Sequence, residues 1–561
     1  MRKIWLDAYP EGIPAEINAS AYASIKEMLE QSCLRFRDKI AFSNMGATIT
    51  YGELDRLSCD FGAYLQTRGL RKGDRVAIML PNLLQYPVAL FGALRAGMVA
   101  VNVNPLYTAS ELEHQLVDSG ATAIVVLENF AHTAERALAK TRVRHVVTTQ
   151  VGDLFPPVRR WLTNLVVKHV RRLVPRWTIA GAVGFREAVA QGRRSKLEDC
   201  ELRADDVAFL QYTGGTTGRP KGAILTHGNM IANIEQTAAW IGGTLTEGAE
   251  TVITALPLYH IFALTANLFV FLKLGGSNVL VTNPRDIPRF VTELKRTRFT
   301  AITGVNTLFS ALLGTEGFAQ VRTANRGALK VAVAGGMAVQ RTVAERWQQL
   351  MGVPLVEGYG LTEASPIVCA NPLSARHFSG KLGLPVPSTE VAILDERGNE
   401  ADLGEIGEIC VRGPQVMRGY WNAPEETANV FTADGWLRTG DMGWMDSHGF
   451  IEFAERRKDV IVVSGFKAYP TEIEDVVMLH PGVKDAGAVG VPDERSGEAV
   501  ALFVVRKDPN LTAEAVLAHC KQHLTGYKLP RRIEFRDQLP KTLIGKILRR
   551  ELKAEAVRSH G

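Results

Sequence analysis

Apolar and polar positions alternate with two periods through much of the chain. Tyr51–Arg68 carries apolar side chains at helical spacing, and Arg75–Leu80 is an apolar strand that stops at Pro81-Asn82. Pro87–Ala96 is helical again, and Val99–Val103 is a strand. The alternation resumes at Thr251–Leu256, Gly276–Val281, Ala301–Thr303 and Lys330–Ala334, each a short apolar run ahead of a helical segment. Strands that alternate with helices predict an α/β architecture of parallel sheets covered by helices. Between Val391 and Phe453, short β-rich runs such as Val391–Leu394 and Glu408–Val411 alternate with Gly, Asp and Asn turns, which predicts a small antiparallel barrel or sheet. Beyond Arg457 an α+β pattern begins: strands at Val460–Val463, Ala486–Val491 and Val500–Arg506, and a helix opening at Pro470. The charged run Glu455-Arg456-Arg457-Lys458-Asp459 marks the boundary. The expected organisation is a large N-terminal domain, 1–457, with two helix-covered sheets and a small β-barrel, followed by a smaller α+β domain, 458–561.

Composition agrees with that size. The chain has 561 residues, 46% hydrophobic and 22% charged, enough for a large buried core. A net charge of +6 spread over such a length does not argue for nucleic acid, but it suits anionic ligands or an anionic membrane surface. The six cysteines lie far apart without a C-x-x-C pair, so neither a zinc site nor a disulfide framework is indicated. No apolar run of signal-peptide length precedes Pro10. The windows Tyr86–Val103 and Leu264–Val281 are interrupted by Arg95 and Lys273 and read as buried core elements. A cytoplasmic protein is expected, peripheral on the cytoplasmic face of the membrane.

The densest chemistry lies in Tyr212-Thr213-Gly214-Gly215-Thr216-Thr217-Gly218-Arg219-Pro220-Lys221-Gly222. Glycines let backbone N–H groups approach phosphate oxygens, and Thr and Lys supply further donors. A Walker loop is excluded, because Pro220 precedes Lys221 and Gly222 follows it where Ser or Thr is required. Leu-Gln-Tyr before the loop reads as a strand end, and Thr226-His227-Gly228-Asn229 after it as a helix start. Two more glycine turns, Gly335-Gly336-Met337 and Glu357-Gly358-Tyr359-Gly360-Leu361-Thr362-Glu363, follow apolar strands, where open α/β sheets place ligands. Glycines leave a flat slot for a purine, Tyr359 can stack on it, and Glu363 brings a carboxylate to the same ligand.

Together with Pro257-Leu258-Tyr259-His260, Gly404–Glu408, Gly435–Asp441, Lys458–Ile461 and Pro540–Lys546, these loops resemble the ordered core motifs of the adenylate-forming family. That family holds acyl-CoA synthetases, luciferases and peptide-synthetase adenylation domains. Met79–Tyr107, Thr282–Asn306 and Val411–Trp421 are most similar to its bacterial long-chain fatty acyl-CoA branch. The resemblance implies ATP, Mg²⁺ and CoA. It implies that Thr213–Lys221 hold the β and γ phosphates, that Thr213 and Glu363 contact Mg²⁺, and that Gly335, Gly336, Gly358 and Tyr359 frame adenine. It places Thr362 near the α-phosphate, Asp441 with Arg456 at the ribose, and His260 between the acyl and nucleotide sites. Lys546 is implied as the catalytic cation, Lys458 as the hinge of a mobile small domain, and the loop around Ser464-Gly465-Phe466 as the CoA passage. The implied reaction makes acyl-AMP and pyrophosphate, then transfers the acyl group to CoA with release of AMP. A ligase that loads a carrier protein is an alternative, as is a non-catalytic fatty-acid-binding protein at the membrane.

Glu455 stands where the family often has Gly or Asp, and Lys467-Ala468 where bacterial relatives have a small polar residue and Val. Ile261, Phe262, Leu264, Val305 and Leu308 are candidates for the acyl tunnel. The segment 154–186 has no acidic residue and carries Arg159, Arg160, Lys168, Arg171, Arg172 and Arg176. Trp161, Leu162, Leu165, Val166, Val170 and Leu173 share one helical face, and Arg160, Asn164, Lys168 and Arg171 the other. Such a helix suits an anionic membrane surface. Homodimer formation is left open.

Overall fold

The computed structural model describes residues 3–213, 220–464, 466–493, 495–541 and 547–558. Two large sheets form its bulk. A seven-stranded sheet runs in the order Val183–Gly184, His145–Thr149, Ala123–Leu127, Arg75–Met79, Val99–Asn102, Val207–Thr213 and Lys221–Thr226. All its pairings are parallel except the final hairpin. A nine-stranded sheet is parallel in its middle, through Ser277–Leu280, Thr251–Thr254, Ala301–Gly304, Val331–Gly335 and Leu355–Gly360, and antiparallel at both ends.

The helices lie where the apolar spacing places them. Thr50 and Glu53 close a capping box on the helix Tyr51–Thr67. The helix Gln85–Arg95 is buried along its whole length. Arg95, which interrupts that apolar window, is neutralised by Asp55 at 2.6 Å and Glu30 at 3.1 Å. Side chains from both sheets merge in one core around Phe91, Phe209 and Phe269.

The small β unit is a four-stranded antiparallel sheet of Glu390–Leu394, Gly407–Arg412, Leu437–Met445 and Ile451–Arg456. After it, Phe466–Ala468, Ile461–Val463, Gly497–Arg506, Val483–Asp493 and Arg532–Arg536 form a five-stranded sheet with a core of its own around Ile473, Val477, Val500 and Leu502.

A buried ionic cluster joins these last two sheets. The Glu455 carboxylate is fully buried at the end of its strand. It accepts the Thr471 N–H at 2.7 Å, in the first turn of the helix Pro470–Met478, and so caps a helix across the joint. Its other oxygen accepts Arg549 at 3.1 Å. Arg549 also binds Glu474 with two donors, at 2.7 and 3.2 Å, and lies 3.6 Å from Asp459. Burial pushes Glu474 up to about 7 in spite of Arg549, and burial with Glu455 nearby pushes Asp475 up to about 6. Lys467 adds an exposed pair to Glu396 at 2.7 Å.

Three local readings change. The stretch from Tyr212 to Gly222 is not all loop: Tyr212 and Thr213 end one strand, Lys221 and Gly222 begin the next, and Thr213 pairs with Lys221. Gly358–Gly360 are strand residues rather than a turn, because Ile367–Ala370 folds back and pairs with them. Gly360 is required there, since a Cβ would sit 2.1 Å from the Pro366 carbonyl. The helix expected in 154–186 is the short Pro157–Leu165, continued by one π turn, Val166–Val170, and its faces are oriented opposite to the usual sense.

Candidate active site

One cavity of about 1110 Å³ opens between the C-terminal ends of the strands and the four-stranded sheet. Thr213, Lys221, His260, Gly335, Gly336, Gly358, Tyr359, Thr362, Glu363 and Arg456 all reach its wall. Gly214, Gly215, Thr216, Thr217, Gly218, Gly465 and Lys546 lie outside the described residues.

At the polar end, Tyr359 donates its hydroxyl to Asp441 at 2.6 Å, and Arg456 pairs with the other Asp441 oxygen at 2.7 Å. Asp441 itself is fully buried behind them. Burial, and then the Asp441 charge, hold the Tyr359 phenol protonated far above its ordinary range. Burial opposes the Arg456 charge, but Asp441, Tyr359 and Glu363 outweigh it and raise the guanidinium further. Arg456 is therefore a permanent cation at the cavity wall. Gly336 holds φ at +78°, a backbone state that disfavours a side chain.

A second cluster centres on Tyr420, which the motif reading did not single out. Its hydroxyl donates to Glu363 at 2.7 Å, and its ring lies 5.5 Å below the Lys221 ammonium, which is 3.6 Å from Glu426. Burial, reinforced by Glu363, keeps the phenol protonated. Backbone bonds from Arg418 and Trp421 to the strand Lys221–Thr226 place this ring. The available signal was position: Tyr420 lies inside the family-like stretch Val411–Trp421.

His260 stands where the polar end narrows. Its Nδ1 accepts the Phe262 N–H at 3.3 Å, so the neutral ring carries its proton on Nε2. Burial lowers it to about 4, and the ring is uncharged at neutral pH. A buried chain fixes its turn: Tyr86 bonds Asn102, Asn102 bonds Gln211, and Gln211 bonds the Tyr259 carbonyl, at 2.7, 2.9 and 2.8 Å. Glu357, also unforeseen, lines the cavity; burial pushes it up to about 8, and it accepts the Val339 N–H at 3.2 Å.

Beyond His260 the wall becomes apolar, with Trp240, Ile241, Leu245, Phe262, Phe271 and Val333. Of the expected tunnel residues, Ile261 and Phe262 reach it, whereas Leu264 and Val305 belong to the core and Leu308 packs against it. The helix His227–Ile241, capped by Thr226 and Asn229, supplies Trp240 and Ile241, which the sequence reading did not name.

Thr213 and Glu363 offer a hydroxyl and a carboxylate, hard oxygen donors that suit Mg²⁺. Among the described residues no group of three or more His, Cys, Asp or Glu could hold a metal alone. That donor set fits a cation that arrives with phosphate oxygens better than a resident one.

A slot of glycines and Tyr359, permanent cations, and a neutral His at the neck of an apolar arm suit the joining of a nucleotide to an amphiphilic acid. The chain matches the AMP-binding enzyme family over residues 29–421 and the AMP-binding enzyme C-terminal domain over 472–546, and it belongs to that family. A long-chain-fatty-acid–CoA ligase of Escherichia coli O157:H7 is 56% identical over 557 residues, 99% of each chain. Among solved structures, ATP-bound MatB from Rhodopseudomonas palustris is 27% identical with a TM-score of 0.83, covering 96% of this chain and 100% of that one. The apo form of MatB, with the same coverage, gives 0.72.

Proposed function

We propose that this protein is an AMP-forming long-chain fatty acid–CoA ligase. The observation that carries the reading is the single cavity with a charged nucleotide end and an apolar arm, separated by His260. A carboxylate attacking the α-phosphorus of ATP brings two anions together, so cations and donors must offset the developing charge. Lys221 and Arg456 supply fixed positive charge at the wall, with Thr213–Lys221 assigned to the β and γ phosphates. Gly335, Gly336, Gly358 and Tyr359 frame the purine. Asp441 braces Tyr359 and Arg456, and its assigned ribose contact requires both to share it. Thr362 is assigned to the α-phosphate, and Lys546 to the reacting carboxylate. Thr213 and Glu363 would hold Mg²⁺, which would supply charge neutralisation for departure of pyrophosphate. His260, neutral with Nε2–H, can donate to the acid without adding charge. Each buried CH₂ stabilises the bound acid by ~0.8 kcal/mol, which favours long chains over short ones.

Residues 1–457 and 458–561 form the two domains in this reading, supported by the separate core of the second sheet. Lys458 is the hinge, and the loop around Gly465 is the passage for CoA. The reading extends to a cytoplasmic protein held peripherally at an anionic membrane surface. AMP release across fatty acids of increasing length, with and without CoA, tests it. Acyl-CoA with long acids supports the ligase; a stall at acyl-AMP favours a carrier-protein acceptor, and no turnover sinks both.

A further inference from the structure

The segment 154–176 is built inside out. In an ordinary surface helix the apolar face meets the core and the polar face meets water. Here the polar side chains are the anchors. Asn164 accepts the Gly152 N–H and donates to Gln150, both at 2.8 Å. Lys168 pairs with Glu128 at 3.3 Å. Arg159 donates to the Met45 carbonyl and lies 5.6 Å over the Phe155 ring. The apolar side chains point outward instead: Val158 is 73% exposed, Trp161 62%, Leu162 48%, Val166 38%, Val170 66% and Leu173 53%. Residues 158, 162, 166 and 170 recur every fourth position, so these side chains form one stripe through the helix and the π turn.

A stripe like this raises the cost of solvation unless something covers it. The charges beside it name the occupant. Arg171, Arg172 and Arg176 are exposed next to the stripe, and no acidic residue occurs from 154 to 186. The same segment of a second copy brings no acidic side chain to pair with these cations. An anionic lipid surface accepts both features, the apolar stripe into the acyl boundary and the guanidinium groups among headgroup phosphates, with Trp161 at the interface. Among the described residues no helix is long and apolar enough to cross a membrane, so this contact lies in the surface plane.

We propose that residues 156–176 are an inverted docking element: the polar face of Pro157–Val170 is fastened to the protein, and its apolar stripe, flanked by Arg171, Arg172 and Arg176, inserts into an anionic lipid surface. The inference deepens the membrane part of the functional reading and rests on it. It assigns five of the segment's six Arg and Lys side chains to two groups. Arg159 and Lys168 hold the element in place, and Arg171, Arg172 and Arg176 meet lipid.

The test is flotation of the full chain with vesicles of phosphatidylcholine alone or with about 30% phosphatidylglycerol added. Wild type should float with the anionic vesicles, with a blue-shifted emission that Trp161→Phe removes. The triple change Trp161→Ser, Leu162→Ser, Val170→Ser should lower partitioning roughly 100-fold. Arg171→Gln, Arg172→Gln, Arg176→Gln should lower it on the order of 100-fold on anionic vesicles only. All these positions are exposed, so melting temperature and AMP release with a shorter, micelle-free acid as substrate should be unchanged. Equal flotation of wild type and the serine variant overturns the proposal. So does a concentration-dependent dimer that the serine variant abolishes, because a second copy is then the occupant. Wild type that does not float but releases AMP rejects the membrane reading and the docking element together, a serine variant that floats as well as wild type rejects the docking element alone, and vesicle binding without any AMP release rejects the ligase reading alone.

Discussion

Replacing Glu455 with Gln removes one charge and almost no volume from the joint between the two final sheets. The amide oxygen still accepts the Thr471 N–H, so the cap on Pro470–Met478 survives. What is lost is the oxygen that accepts Arg549 at 3.1 Å and the Arg456 N–H at 2.8 Å, because the amide NH2 stands in its place. A hydrogen bond to a charged group contributes about 1.5–3 kcal/mol. Arg549 keeps its two-donor contact with Glu474 and its approach to Asp459, so no cation is left unpaired and the loss falls at the lower end. About 1.5 kcal/mol displaces an equilibrium between domain orientations by roughly tenfold. The arrangement in hand is more like ATP-bound MatB than its apo form, with TM-scores of 0.83 and 0.72. On the proposed two-orientation account, the variant should shift away from the arrangement described here. Pyrophosphate exchange driven by fatty acid and ATP should fall about fivefold when the two orientations are near balance, and thioester formation from supplied acyl-AMP should hold or rise. Both assays are run beside thermal melts. Equal decline of the two half-reactions at unchanged melting temperature refutes the idea of an orientation-specific latch, as does no change in either.

Three further outcomes follow from the site. Tyr420→Phe deletes the hydroxyl that holds Glu363 and should raise the KM for Mg-ATP by about tenfold with little change in fatty-acid KM; a purely fatty-acid effect contradicts the placement. Glu357 is raised from 4.5 to about 8, so the native state binds its proton more tightly than the unfolded chain and stability falls as pH rises through that window, by up to about 1.4 kcal/mol per pH unit. Urea melts of Glu357→Gln should show a flatter pH dependence than wild type, and parallel curves would count against a buried protonated carboxyl. His260 is lowered from 6.5 to about 4, so its contribution to stability is present above pH 6.5 and is lost as pH falls toward 4. Nitrogen NMR of labelled histidine should find the neutral Nε2–H tautomer at pH 6, and a titration midpoint near 6.5 would exclude it.

Much of this arrangement is readable from local pattern, because local pattern is what decides it. The strands at Arg75, Val99, Thr251 and Val331 are short apolar runs bounded by turn residues, and they form where they read. The capping boxes at Thr50 and Thr226 fix two helix starts through contacts three residues apart. Less legible are features that depend on distant partners. Lys221 and Gly222 read as part of the loop, but pairing with Thr213 and Tyr212 makes them the start of the strand Lys221–Thr226. Tyr420 enters the site because backbone bonds bring 418–421 to that same strand; its place in the family-like stretch Val411–Trp421 does not tell which side chain faces the cavity. Leu264 and Trp240 are both apolar helical residues; which one faces the cavity is set by how two helices pack against the sheets. The faces of Pro157–Leu165 are read correctly as two, but their orientation depends on Gln150, Gly152 and Glu128.

The most direct measurement is kcat/KM for AMP release with ATP, magnesium and CoA over a series of saturated fatty acids. Because one apolar arm beyond His260 receives the chain, the value should climb about fourfold per added CH₂ until the arm is full. Equal values for an acetate-sized acid and a sixteen-carbon acid, or no AMP from either, would contradict the account.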